Sequence, residues 1–125
     1  MEQQPLIPRS EYTTRWTQIQ TMMRDTGIDV LIVYSNDREV FGQAHIRWIC
    51  DFPVHLEPVC AVFAQTGSPV LATGPESTDF IRNRSAIDDA FILEEFIHPE
   101  EVYHLDNIMN LESVVAQVTA LTPVL

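Results

Sequence analysis

Four side chains able to bind a metal or move a proton fall within thirteen residues: His45, Asp51, His55 and Glu57. Imidazole and carboxylate are the ligands of hard and borderline divalent cations, but the spacing matches no recognised metal motif, so a metal site is not the expected reading. The last three lie in one short loop, His55 and Glu57 between Pro53 and Pro58, a place where a rigid scaffold presents reactive groups. A second group, His98, His104 and Asp106, reads as a turn with a capping aspartate. Cys50 and Cys60 lack the second pair that a zinc site requires, and nothing marks the chain as secreted; free, buried thiols are expected. Thr73-Gly74-Pro75-Glu76-Ser77-Thr78 stands between a strand and a helix, where phosphate is often held. However, Pro75 removes a backbone donor, Glu76 and Asp79 already occupy the positive end of that helix, and the Walker lysine is missing.

The surroundings set further bounds. At 125 residues, with 46% apolar and 9% aromatic content, the chain suits one globular domain with one core. Seven basic residues, all arginine, stand against eighteen acidic ones, and none follows Arg84. Such a surface repels phosphate, so neither nucleic acid nor an anionic membrane is an expected partner. No stretch of eighteen apolar residues is present, and the first ten residues lack the pattern of a signal peptide; the cytoplasm is the expected location.

The elements that must position these groups follow from periodicity. Residues 1–9 read as an extended lead-in, with the domain proper at 10–125. Ser10 is expected to cap a helix whose Tyr12, Trp16, Ile19 and Met23 share one face and which Gly27 ends. The apolar run 28–34 reads as a strand covered on both sides. Turn residues 35–38 and a short helical turn at 39–42 precede a strand over 44–50. Val59–Ala64 and Pro69–Thr73 flank Gln65-Thr66-Gly67-Ser68 as a hairpin. A helix with Pro75 at its first position runs to about Arg84. A strand over 90–96 and a helix capped by Asp106, with Ile108, Leu111, Val115 and Val118 on one stripe and Pro123 beyond it, complete the series. Hairpin and crossover helices together predict an α/β fold with a mixed β-sheet flanked by helices.

The run His45-Ile46-Arg47-Trp48-Ile49-Cys50-Asp51-Phe52 resembles the Asn-x-x-Tyr-Leu-Thr-Gly-Phe signature in the amino-terminal domain of the creatinase, aminopeptidase P and prolidase family. Here Trp48, Cys50 and Asp51 replace the family's tyrosine, threonine and glycine; aspartate tolerates a positive φ better than most residues, so the turn can survive. The likeness extends from about Ser10 to Leu121 through the helix ending in Gly27-Ile28-Asp29 and the strand–Gly–Pro-Val-Leu hairpin.

The resemblance implies a creatinase/prolidase amino-terminal-domain-like fold with a ribonuclease H-like motif. It implies a parent metallohydrolase that cleaves C–N bonds next to proline, or in creatine, with a divalent metal pair (Mn, Co or Zn) held by two Asp, one His and two Glu in a following pita-bread domain. None of those ligands maps onto this chain, so the chain itself carries no catalytic residue and no metal. Its expected role is to support a homo-oligomer, a dimer first of all, and to wall the active site of the neighbouring subunit. The substrate-side candidates are Arg47, Trp48, Phe52, His55 and Glu57, because an arginine pairs bidentately with a carboxylate and an aromatic ring packs a substrate ring. The ending Ala120-Leu121-Thr122-Pro123-Val124-Leu125 reads as a lead towards a carboxy-terminal catalytic domain. The competing expectations are a free-standing interaction module and a phosphate- or nucleotide-binding α/β domain.

Overall fold

A computed structural model of the chain describes residues 7–38, 40–54, 57–97 and 108–120. Helix α1 (Arg9–Thr26) is followed by β1 (Val30–Ser35), α2 (Ala44–Cys50), β2 (Val59–Ala64), β3 (Val70–Thr73), α3 (Thr78–Arg84), β4 (Ala90–Leu93), a 3-10 turn (Glu94–Phe96), β5 (Ile108–Met109) and α4 (Leu111–Ala120). The strands form one mixed sheet in the order β1-β2-β3-β4-β5. The pairs β1–β2 and β2–β3 are antiparallel, while β3–β4 and β4–β5 are parallel. Among the described residues, no helix is long and apolar enough to cross a membrane.

Strand alternation divides the interior into two. Val59, Ala61 and Phe63 of β2 and Leu71 of β3 face Tyr12, Trp16 and Met23 of α1, Ile46 and Ile49 of α2, and Ile81 of α3. Cys60, Val62, Ala64, Val70 and Ala72 face Val114 and Val118 of α4. The sheet is therefore covered by three helices on one side and one on the other. All six residues of β2 are buried, as expected of a strand between two layers.

Helix α1 follows its sequence closely. Tyr12, Trp16 and Met23 are buried, Ile19 packs beside them, and Gly27 closes the helix with φ 73°. The N-cap position belongs to Pro8 instead of Ser10, whose carbonyl accepts from the hydroxyls of Thr13 and Thr14. The hairpin forms as expected, with Gly67 at φ 83° in its turn.

Several expectations are corrected. Residues 44–50 form a helix, not a strand: Ile46, Ile49 and Cys50 point inward at helical spacing and leave Trp48 outside. β1 is an edge strand instead of one covered on both sides, with Ile32 41% and Tyr34 49% exposed. Helix α3 begins at Thr78, because Pro75, Glu76 and Ser77 are held in a turn. The stretch 90–96 splits into β4 and the 3-10 turn, and Ile108 lies in β5 beside Ile92, not in the last helix. That helix is capped by Asn110, whose Oδ1 accepts the Ser113 N–H at 2.8 Å. Glu39, His55, Leu56, His98, His104, Asp106 and Pro123 lie outside the described residues.

Candidate functional site

The candidate residues Arg47 and Trp48 ride on the outer side of α2, which is bound to α1 by three contacts across thirty-three residues of sequence. The Trp16 indole N–H donates to the Ile49 carbonyl at 2.8 Å in the buried layer. Arg15 Nη1 donates to the Trp48 carbonyl at 2.7 Å. The same guanidinium stacks over the Trp48 ring at 4.8 Å and over the Tyr12 ring at 5.2 Å, while its Nε pairs with Glu11 at 3.1 Å. Cation–π attraction of this kind orients Trp48, which remains 46% exposed on its free side.

Arg47 pairs instead with Asp51, Nε to Oδ1 at 3.6 Å, with both side chains about half exposed. Such a pair fixes little energy in water and leaves the guanidinium accessible. Asp51 ends α2 in the left-handed region, φ 54° and ψ 32°, and its N–H bonds the Arg47 carbonyl at 3.0 Å. It is the single non-glycine residue with positive φ among the described residues. This reversal turns the chain inward, so that Phe52 and Val54 enter the core under α1 and α2. Phe52 is 2% exposed and packs against protein on every side.

Glu57 lies elsewhere, at the start of α3. Its Oε1 accepts the Ser77 N–H at 2.7 Å, and the carboxylate lies directly over Gly74, where a β-carbon would collide with Oε2. Thr78 Oγ1 donates to the Gly74 carbonyl at 3.0 Å and closes the turn. One backbone donor at the positive end of α3 is thus taken by the chain's own carboxylate, whose charge sits where a bound phosphate would have to lie. Glu95 does the same at α4, receiving the Leu111 N–H at 2.9 Å.

Four of the five candidates therefore have defined surroundings: Arg47 and Trp48 present themselves to solvent on neighbouring positions, Phe52 fills the core, and Glu57 anchors a helix. His55 lies outside the described residues. His45 is exposed on α2. Among the described residues, no three His, Cys, Asp or Glu side chains are grouped to hold a metal ion. Arg15 was not singled out by the sequence, and Gly74 entered only within the Thr73–Thr78 turn, without its link to Glu57; the closeness of Arg15 to Trp48 arises only when two helices meet, and no local pattern announces it.

A shallow cleft of about 220 Å³ opens where α1, α2 and the end of α3 converge, lined by Arg9, Tyr12, Cys50, Asp51, Arg84 and Ser85. The Tyr12 hydroxyl is buried beside it without a hydrogen-bond partner among the described residues. Both cysteines are free and buried. Burial pushes the Cys50 and Cys60 thiols up to about 11, so neither is poised as a nucleophile. A comparison with models of known protein families finds none that matches this chain, and a comparison with curated proteins finds no significant similarity.

Proposed function

We propose that this chain is a non-catalytic amino-terminal domain of a creatinase/Xaa-Pro peptidase-like metallohydrolase, serving oligomerisation and the wall of a neighbouring subunit's active site. The observation that carries this reading is Asp51. Where the family signature has its glycine, the chain turns through a positive φ and buries the following phenylalanine, as Phe52 does here. The mixed sheet flanked by helices and the hairpin of β2 and β3 fit the same reading. Arg47 and the stacked Trp48 are its substrate-side groups, because they are the exposed cationic and aromatic members of the signature. The metal pair belongs to the partner domain; no step of the hydrolysis is assigned to residues of this chain.

The alternative of a free-standing interaction module draws on Val40 and Phe41, both highly exposed in the turn before α2. One experiment separates the two. Sequencing the transcript beyond the Leu125 codon should find a continuing frame that encodes spaced Asp, His and Glu. The full-length product should then cleave an Xaa-Pro peptide with added manganese, and Arg47→Ala should raise KM with little change in melting temperature. A stop codon after Leu125, or a full-length product inert with metal, overturns the proposal.

A further inference from the structure

Among the described residues, the Tyr12 hydroxyl is the only buried side-chain nitrogen or oxygen without a hydrogen-bond partner. An orphan of this kind costs free energy, and its place in the fold suggests why it is kept. Tyr12 is 4% exposed and lines the cleft of about 220 Å³ between α1, α2 and the end of α3. Burial first, and then the Asp51 carboxylate on the same cleft, hold its pKa above the usual tyrosine value. The phenol therefore keeps its proton and can donate it.

Three charged groups line the same cleft. Arg9 is clamped on the rim, its Nη2 donating to Asp88 at 2.7 Å and to the Ala86 carbonyl at 2.8 Å. Arg84 is exposed and has neither ion pair nor hydrogen bond among the described residues. Asp51 is engaged only by the half-exposed pair with Arg47 at 3.6 Å, through Oδ1. An unpaired cation and a loosely paired anion thus meet a buried donor. A simple anion such as phosphate would be repelled by Asp51, and a simple cation by Arg9 and Arg84. A molecule with both charges on one carbon satisfies both signs. The volume lies below the roughly 300–1,000 Å³ of pockets for drug-sized ligands, and Ile7 and Ala86 add apolar wall.

We infer that this cleft binds a free α-amino acid with a small aliphatic side chain, its carboxylate held by the Tyr12 hydroxyl and the Arg84 guanidinium and its ammonium by Asp51. Reaching a hydroxyl shut off from water requires one rim group to move. Arg84 can do so, swinging out to admit the ligand and closing over its carboxylate. The site is separate from the outward surface of Arg47 and Trp48 and does not depend on the family reading.

Amide NMR titration of the full chain with L-alanine, L-valine and L-leucine tests it. The expected result is saturable shifts around residues 12, 51 and 84–86 with at least one of the three. The N-acetyl form of that amino acid lacks the ammonium and its amide lacks the carboxylate, so neither should bind. Arg84→Ala and Asp51→Asn should each weaken binding by about tenfold or more. Asparagine tolerates the positive φ of position 51, so the fold is kept. Tyr12→Phe separates a ligand role from a structural one. It should weaken binding by about tenfold, while the melting temperature without ligand stays the same or rises, because an unpaired buried hydroxyl has gone. A lower melting temperature would mean that the hydroxyl is bonded within the fold, and overturns the inference. So does the absence of saturable shifts with all three amino acids, or equal binding of the blocked forms. A frame that stops after Leu125 would overturn the family assignment while leaving this cleft untouched.

Discussion

The carboxylate of Glu57 covers Gly74 so closely that the glycine has no room for a side chain. The two residues are one device: the absence of a β-carbon lets the carboxylate reach the Ser77 N–H and complete the N-terminus of α3. Either Glu57→Ala or Gly74→Ala should cost about 1–2 kcal/mol, the value of a charge-assisted bond at a partly buried site. Because each change abolishes the same contact, the double variant should cost little more than either single one. Denaturant melts of all four proteins measure the coupling; strict additivity would separate the two residues.

Asp51 offers a second test, through its backbone. An L-residue held in the left-handed region costs about 1 kcal/mol or more, least for Asp and Asn. Asp51→Gly should therefore keep stability or raise it by up to about 1 kcal/mol, since the half-exposed pair with Arg47 adds little. Asp51→Val should lose about 2 kcal/mol, because a β-branched side chain resists positive φ more strongly. Equal thermal stabilities for the two variants would remove the φ argument.

The cysteines set an alkaline limit. Burial raises both thiols from 9.0 to about 11, so the folded chain keeps protons that the unfolded chain releases. Their contribution to stability is complete below pH 9 and falls as the pH rises towards 11. Urea midpoints should accordingly drop across that window, and Cys60→Ala should flatten the drop. A profile unchanged by the substitution would place the alkaline loss elsewhere.

The sequence was legible where local pattern and tertiary demand coincide. The Tyr12–Trp16–Ile19–Met23 stripe and Gly27 define α1, and the β2–β3 hairpin announces itself through Gly67. It was misleading over 44–50, where Ile46, Trp48 and Cys50 satisfy strand alternation as well as Ile46, Ile49 and Cys50 satisfy a helix. The distinction comes from Trp16, whose indole needs the Ile49 carbonyl, and from the left-handed Asp51. Nor does an apolar run disclose what lies over its faces, so β1 read as a strand covered on both sides. For the candidate site, residue types pointed to Arg47 and Trp48 on the surface, but the burial of Phe52 and the anchoring of Glu57 depend on contacts twenty or more residues away.

Since β2 is enclosed above and below, the tight bend at Gly67 indexes the entire layer. A slip of one residue there would turn β3 over relative to β2, thrusting Leu71 against α4 and sending Val70 and Ala72 beneath α1. It would also pull the Thr73 hydroxyl from the Pro58 carbonyl, which it meets at 2.9 Å. A glycine in an exposed turn thereby decides which way each inward residue of β3 looks.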